Sequence, residues 1–390
     1  MRAAAGQGDS DMGVPFQQLP GPSARESVPP IENPLSSRRR SDIRCRFRRL
    51  CPMAIESELT IRPYRSGDEH AILRTFNFVF REVCGPSFVD RDLASWRWQF
   101  LENPWGYRIW LAVTPDGEVV AQYAGVPYPM TTAAGDCLFI HIVDSFVHPD
   151  YRKGLKRSGV FVHTVLPFFA DCHDRGDAVL YGFPLPAAER IGKRLLDYKR
   201  LCVVDYLCRD LSRRGPRRPR RVEVDCVDIL PLDIDSLFER FSPRTSCLTR
   251  RNAAYLTWRY LSMPGSRYEI WTARRGGELR GLMVLRPIHE LLPNACTIAD
   301  WMVVEDDKKT TDALVAVAAE RGRAHHRQRL LAVFSNWGDE HAALLQRGFD
   351  TVPSANYLER PLAYRIHHPN MSKKWLQRNW WYTLGDSDLV

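Results

Sequence analysis

The chain has 390 residues, of which 44% are hydrophobic, 26% charged and 11% aromatic. This length suffices for two domains of ordinary size, each with its own hydrophobic core. No stretch of the sequence reaches the roughly 18–20 uninterrupted apolar residues that a membrane span needs, and the N-terminus lacks the apolar core of a secretory signal. The sequence therefore predicts a cytoplasmic protein without a membrane span.

The net charge of +9 comes from two short segments rather than from the whole chain. Residues 1–52 contain nine arginines and five acidic residues, and the run 212–221 contains six arginines and no acidic residue. The remaining sequence is close to neutral. We interpret both segments as solvated arms, for which nonspecific contact with phosphate or anionic lipid is the alternative. Nucleic acid is not expected as a specific partner.

Ten cysteines are scattered along the chain, and none belongs to a CxxC pair or to a Cys/His set with zinc-ligand spacing. Free thiols in a reducing compartment explain this distribution. Cys172 and His173 are neighbours in a helical segment and point in different directions, so they do not predict a nucleophile with its base. The sequence thus predicts no metal site.

An internal repeat with a spacing of 160 residues is the most informative feature of the sequence. The segment 98–104 (WQFLENP) aligns with the segment 258–264 (WRYLSMP). Each copy begins with a strand and an acidic-rich helix start, and each later contains a strand with one aspartate, Asp144 or Asp300. The repeat predicts two copies of one fold.

The order of strand and helix patterns predicts an α+β (mixed α/β) fold, in which each copy has a mixed central sheet flanked by helices. A polar run rich in Arg and Pro separates the copies and cannot form a core. The predicted organisation is a disordered basic segment 1–56, a first domain 57–211, a linker 212–221, a second domain 222–366 and a docked tail 367–390. Met53 is an alternative to Met1 as the initiator.

The segment 144–161 carries the clearest chemical signal. It reads as a strand, a proline, a basic loop with glycine and a helix start. Backbone N–H groups at a helix N-terminus suit a pyrophosphate. Ser158 and Gly159 would allow close backbone approach, while Lys156 and Arg157 add positive charge. A solvated basic turn is the alternative interpretation.

This segment resembles the signature of the GNAT (Gcn5-related N-acetyltransferase) superfamily. Residues 147–152 (VHPDYR) match the strand end of the family, and residues 156–161 (KRSGVF) match its acyl-CoA loop, with a few extra residues between them. The resemblance implies tandem GNAT-like domains with a degenerate second copy, and acetyl-CoA or another acyl-CoA as donor. The residues that it assigns to donor binding are Phe146, Val147, Arg152, Lys156, Arg157, Ser158, Gly159, Val160 and Phe161.

The resemblance also implies transfer of the acyl group by direct attack of an amine, carried by a small molecule or a peptide. Asp144 then occupies the position of the base, with His141 and His148 as weaker alternatives. A backbone N–H near Phe146 or Val147 would stabilise the oxyanion.

The general acid of the family is a tyrosine, and its position falls on Lys193 here. Tyr198 and Tyr181 are the nearby substitutes, and we take Tyr198 as the candidate acid. Packing in the core is the alternative for both. Solvent could also protonate the departing thiolate.

The second copy has Glu305, Asp306 and Asp307 in place of the basic loop. Because three carboxylates repel a pyrophosphate, we expect no CoA there, and instead a contribution to the acceptor pocket or to a homodimer surface. The aromatic tail at 380–388 predicts a docked segment, which could bring Asp386 or the terminal carboxylate near the acceptor site.

The sequence therefore predicts an N-acyltransferase that uses acyl-CoA, and it leaves three alternatives open. One is a catalytically inactive GNAT-like binding scaffold, which the missing tyrosine favours. Another is an aminoacyl or long-acyl transferase acting on cell-envelope or polysaccharide precursors. The third is nucleic-acid binding through the arginine arms.

Overall fold

A computed structural model gives the fold of residues 59–85, 88–152, 159–242, 247–288, 292, 294–356 and 361–388. These residues belong to one compact unit that extends from residue 54 to residue 390. The expected disorder of residues 1–56 concerns a segment outside the described residues.

Sixteen strands form in the described part of the chain, and they pair in two sheets. In chain order the strands are β1 (Thr60–Pro63), β2 (Arg108–Val113), β3 (Val119–Thr132), β4 (Gly135–Val147), β5 (Val179–Gly182), β6 (Lys199–Val203), β7 (Tyr206–Asp210), β8 (Glu223–Val227), β9 (Cys247–Thr249), β10 (Glu269–Arg275), β11 (Glu278–Arg286), β12 (Ala295–Val303), β13 (Arg329–Ala332), β14 (Asp350–Val352), β15 (Pro361–Ile366) and β16 (Trp380–Trp381).

Nine α-helices connect and cover the strands in the same described segments. They are α1 (Glu69–Cys84), α2 (Leu93–Phe100), α3 (Val160–Asp174), α4 (Pro186–Leu195), α5 (Ile234–Phe241), α6 (Ala253–Leu256), α7 (Lys308–Ala324), α8 (Asp339–Leu345) and α9 (Lys373–Asn379). None of the described helices is long and apolar enough to cross a membrane.

The first sheet has the strand order β1-β2-β3-β4-β5-β15-β6, and β9 and β16 extend it beside β3. Its neighbouring strands are antiparallel, except that β4 runs parallel to β5 and β16 parallel to β9. Helix α3 makes the crossover from β4 to β5 that a parallel pair requires. Residues of β4 alternate between the two faces: Phe139 packs on the side of α1 and α2, and Ile140 packs under α3.

The second sheet has the order β14-β7-β13-β12-β11-β10-β8, with β12 and β13 as its parallel pair. Helix α7 connects this pair, as α3 connects β4 and β5. Two mixed sheets with flanking helices confirm the predicted α+β fold.

Each sheet contains a strand from the other half of the sequence. Strand β7 follows β6 directly, but it pairs with β13 and β14 in the second sheet. Strand β15 follows the second sheet in the chain, but it lies between β5 and β6 in the first. The predicted boundary at 212–221 therefore does not separate the sheets, because β7 and β8 on either side of it both belong to the second one. Local sequence patterns identify strands but not their partners, which explains this difference.

The two halves meet through a reciprocal contact of the repeated tryptophans. The indole N–H of Trp98 donates to the carbonyl of Trp258 at 2.6 Å, and the indole of Trp258 donates to the carbonyl of Trp98 at 2.9 Å. The two rings stack with centroids 5.7 Å apart. Equal residues contact each other at the spacing of the repeat, which is the pattern of a two-fold relation.

The tail after β15 packs against both halves. Trp380 and Trp381 are buried and pair with β9, which in turn pairs with β3. Thr383 forms an isolated bridge with Phe334, just after β13. The tail thereby reaches the second sheet at the end of its parallel pair.

Strand exchange predicts that the first half is strongly destabilised on its own. A fragment of residues 59–211 lacks β15, so β5 and β6 lose the strand between them, with the buried side chains of Leu362 and Tyr364. We expect this fragment to lose more than about 4 kcal/mol of stability, or roughly 10 °C or more in Tm. Thermal unfolding followed by circular dichroism measures the change.

Co-expression with residues 212–390 is the control, since it supplies β15 and should restore a cooperative transition. A monomeric 59–211 fragment with the Tm of the full chain would contradict the exchange.

Candidate functional site

The parallel strands of the first sheet separate near their ends. Pairing between β4 and β5 runs from Phe139–Val179 to His141–Tyr181. Beyond this pair the described residues show no further pairing of the two strands, although β4 continues to Val147. The ladder ends at His141, and β4 continues towards the loop before α3. We call the region between β4 and β5 beyond this pair the cleft. Clefts at such strand ends are the usual ligand sites of folds with parallel strands.

A bulge in β4 lies on the wall of this cleft. Gln122 of β3 pairs with Phe146 and Ala124 pairs with Val143, so two residues of β4 oppose one of β3. One of them, Asp144, has a left-handed backbone with φ of 51°. Bulges redirect side chains and occur next to active sites. The bulge therefore points the Asp144 side chain in a direction that differs from the one expected for a regular strand.

The carboxylate of Asp144 faces α2 and is engaged by two side chains. Arg91 forms an ion pair with it, and the Gln99 amide donates to the same oxygen, Oδ2, at 3.0 Å. Its side chain is only 9% exposed. Burial raises the pKa of Asp144, and Arg91 opposes this effect. The predicted base is thus a buried carboxylate that already has a cation beside it.

The N-terminus of α3 has no side-chain cap. Gly159 is the N-cap residue, the helix begins at Val160, and no side chain among the described residues caps its first N–H groups. Such a terminus suits an anion, because the unsatisfied N–H groups and the helix dipole both favour negative charge. Phe161 is half-buried and packs edge-on against Tyr123, with ring centroids 5.6 Å apart.

The other predicted donor-binding residues lie along the strand end. Phe146 is buried against Phe76 of α1, and Val147 packs in a small cluster with Val160. Arg152 donates to the carbonyl of Val147 at 3.1 Å and pairs with an exposed glutamate of α1. The predicted residues Lys156, Arg157 and Ser158 lie outside the described residues.

The candidate acid lies on the opposite face of the sheet from Asp144. Tyr198 packs with the cluster under α3, and its hydroxyl is 2.8 Å from the hydroxyl of Tyr123. Both side chains are buried, and burial raises the pKa of Tyr198 well above its usual value. The structure therefore does not bring the two predicted catalytic side chains together. A role of Tyr198 as acid stays a prediction.

The second sheet has a bulge in β12. The aspartate beside it, Asp300, belongs to a buried hydrogen-bond network. Asp300 accepts a bond from Arg251 at 2.6 Å and another from the Tyr260 hydroxyl at 2.8 Å. Arg251 also donates to the tail carboxylate of Asp386 at 2.7 Å, and Thr383 donates to Asp300 at 3.0 Å. The side chains of Arg251 and Asp300 are 0% exposed.

The tail occupies the region where β12 and β13 separate. Their pairing ends at Ile298–Ala332, and the tail contacts the residues that follow on both strands. A Cβ on Gly385 would lie 3.1 Å from the carbonyl of Ala299, so a side chain at Gly385 would crowd the β12 bulge. The equivalent of the first cleft is thus filled by the chain itself.

The helix that follows the second bulge, α7, has a carboxylate of the chain itself at its N-terminus. Asp307 is the N-cap residue of α7, and its carboxylate accepts from the Thr310 N–H at 3.1 Å. Arg275 and Arg280 donate to the same carboxylate at 2.8 and 2.9 Å. A phosphate at this helix would have to displace a carboxylate that already has three partners.

An arginine lies beside each bulge, and neither was predicted from the sequence. Arg91 and Arg251 are separated by the same 160 residues as Trp98 and Trp258, so the repeat contained the signal. Each precedes the N-cap residue of its helix, Asp92 in one half and Asn252 in the other. Within the described residues no group of three His, Cys, Asp or Glu side chains is placed to hold a metal ion.

Comparison with known proteins gives a family match in the first half of the chain. Residues 60–194 match the family model described as "Acetyltransferase (GNAT) domain". The predicted resemblance to the GNAT superfamily is therefore confirmed for these residues, which include most of the helices and strands around β4 and β5. No curated protein sequence gives a significant match.

Solved structures share the fold over most of the chain at low sequence identity. A GCN5-related N-acetyltransferase from Anabaena variabilis ATCC 29413 gives a TM-score of 0.58 at 12% identity, covering 80% of this chain and 73% of that one. A probable N-acyltransferase from Enterococcus faecalis V583 gives 0.56 at 12% identity, covering 79% and 72%. A tandem GNAT protein from the clavulanic acid biosynthesis pathway gives 0.51 at 13% identity, covering 80% of this chain and 100% of that one.

The buried network of the second half predicts unequal effects of two matched substitutions. Arg251→Met leaves Asp300 and Asp386 buried without their cation and should cost about 3–5 kcal/mol of unfolding free energy. Arg91→Met should cost clearly less, because Arg91 is 25% exposed and solvent can reach its partner. Urea unfolding at neutral pH compares the two. Equal losses would mean that the second network does not hold the tail in place.

Proposed function

We propose that the chain is an N-acyltransferase that transfers an acetyl or other acyl group from acyl-CoA to an amine, and that the first half holds the donor. The observation that carries the proposal is the contrast between the halves. The helix after the first bulge has a glycine N-cap without a capping side chain, whereas Asp307 caps the equivalent helix.

The donor would lie along the cleft between β4 and β5. Its pyrophosphate would accept hydrogen bonds at the start of α3, near Gly159 and Val160, and the predicted basic loop would add charge. Its thioester would then reach the bulge of β4, where a backbone N–H near Phe146 could stabilise the oxyanion of the tetrahedral intermediate.

The acceptor would approach from the side of α2. Asp144 faces this side, so its carboxylate can attract the ammonium form of an amine in exchange for part of its contact with Arg91. The second half would serve as a degenerate copy: its cleft is filled by the tail, and its role would be to wall the acceptor side and hold the tail.

Donor binding by the first half only is tested with two charge changes. Gly159→Glu places a carboxylate at the α3 N-terminus and should weaken acetyl-CoA binding at least 100-fold, because the new charge repels the pyrophosphate. Asp306→Asn removes a charge beside α7, and should change the affinity less than twofold. Asparagine tolerates the left-handed backbone at this position, where φ is 56°. Calorimetry on the full chain measures both.

Three outcomes of this experiment are informative. Weak binding by both variants would contradict donor binding by the first half only, and binding unaffected by Gly159→Glu would overturn the donor site. Tight binding by the wild-type chain without acyl transfer to any amine in a mass-spectrometric panel would favour the inactive scaffold.

The role of Asp144 is tested by Asp144→Asn, which keeps the size and the Gln99 contact but removes the charge. We expect kcat/KM for the acceptor to fall at least tenfold, while the affinity for acetyl-CoA stays within twofold, since the helix terminus is not altered. Gln99→Glu is the matched control that adds charge beside the same carboxylate; it should also impair acceptor use. A normal kcat/KM in Asp144→Asn would remove Asp144 from the site.

A further inference from the structure

His141 occupies an unusual place at the closed end of the cleft. It forms the last pair of β4 with β5, opposite Tyr181, and it lies on the same side of β4 as the face that α2 covers. Its ring stacks on Tyr181 with centroids 4.8 Å apart and an interplanar angle of 9°. Tyr128 and Phe183 each contact the ring edge-on at 5.9 Å. Three aromatic rings therefore fix its orientation.

One ring nitrogen of His141 has no hydrogen-bond partner. The residue is 2% exposed, and no described protein group bonds Nε2. A buried polar atom without a partner costs about 1–3 kcal/mol. The second half has Thr297 at the equivalent place before its bulge, and that hydroxyl donates to the Arg286 carbonyl. The unpaired polar atom thus belongs to the half with the unfilled cleft.

We propose that His141 is the catalytic base of the transfer and that its free Nε2 receives the proton of the acceptor nitrogen. This inference rests on the proposed function. Asp144, in contrast, would attract the amine by charge while Arg91 and Gln99 hold its carboxylate.

The protons of the step balance when the acceptor reacts as the neutral amine, after the ammonium form attracted by Asp144 has released one proton to solvent. The amine nitrogen then forms a bond to the thioester carbonyl carbon, and the nitrogen loses one proton to Nε2. The C–S bond then breaks, the thiolate leaves, and the imidazolium gives the proton to the sulfur. The products are the amide and the free thiol. This return of the proton would make a separate tyrosine acid unnecessary, which agrees with the burial of Tyr198 on the other face.

The surroundings of His141 keep it in the required neutral form. Burial lowers its pKa to about 4, Arg259 acts in the same direction, and Asp386 and Asp388 of the tail oppose it. The other titratable groups against its ring are the hydroxyls of Tyr128 and Tyr181, both with raised pKa. The imidazole is therefore unprotonated throughout the physiological pH range, and it would lose the base form only as the pH falls through about 4.

The chain offers a matched control in His367. This histidine also has an unpartnered ring nitrogen and a pKa lowered to about 3 by burial. It lies at the other end of β5, where its backbone N–H donates to the Ala178 carbonyl. A merely structural effect of losing a buried histidine should therefore be similar at both positions.

The test compares His141→Ala and His367→Ala in the full chain. The probe is the amine that the wild-type chain acetylates fastest with acetyl-CoA in the panel above. We expect His141→Ala to lower kcat at least 100-fold, to change both KM values less than threefold, and to recover activity in proportion to added imidazole. His367→Ala should keep kcat within threefold and should not respond to imidazole.

The outcomes separate this inference from the proposed function. A wild-type chain that binds acetyl-CoA but acetylates no amine overturns both. A wild-type chain that is active while His141→Ala keeps its kcat, or loses it without any recovery by imidazole at an unchanged Tm, overturns the role of His141 alone. Should His141→Ala not fold, His141→Gln provides the same comparison, because glutamine keeps the volume and the polarity but cannot accept the proton.

Discussion

The exchange of β7 and β15 is the constraint on which the rest of the structure depends. In the first sheet β15, from the second half of the sequence, lies beside β5. In the second sheet β7, from the first half, lies beside β13. Neither sheet can therefore complete its backbone hydrogen bonds alone, and unpaired buried N–H and C=O groups are costly. This obligation fixes the two halves against each other and brings Trp98 onto Trp258. It also places the tail, which follows β15, beside the second cleft.

Within this frame the two halves have diverged at three matching places. The first helix terminus after the bulge begins at a glycine, and the second at an aspartate with two arginines. The first cleft ends at a histidine with a free nitrogen, and the second contains the tail. The first aspartate has a partly exposed arginine, and the second has a fully buried one. At each of these places the described side chains of the second half have more internal partners than their counterparts in the first half.

The sequence predicted the fold class, the family and the repeat because these depend on local and periodic features. The amino-acid sequence alone shows three such features: apolar strands around Ile140 and Leu180, the basic turn before Val160, and the spacing of Trp98 and Trp258. The strand exchange was not predictable in this way, since β7 and β15 have the same apolar pattern whichever sheet they join.

The site was predicted less completely than the fold. Asp144 and Gly159 were predicted from their places in the motif, and the structure adds their environment. Tyr198 was chosen for its proximity in sequence, but side-chain direction decides which face a residue reaches, and Tyr198 packs against Tyr123. His141 was considered weak because a histidine in an apolar strand is usually an ordinary core residue; only its unpaired nitrogen and its place at the end of the pairing distinguish it.

The order of the strands along the chain also affects how the protein is made. The first sheet has six of its nine described strands by residue 203. The strand between β5 and β6 is translated roughly 150 residues later, a delay of about 8–30 s at usual elongation rates. During this interval the nascent chain would present two unsatisfied strand edges that invite pairing with other chains. Synthesis in the cell would thus rely on chaperone protection of the first half until the ribosome has released β15.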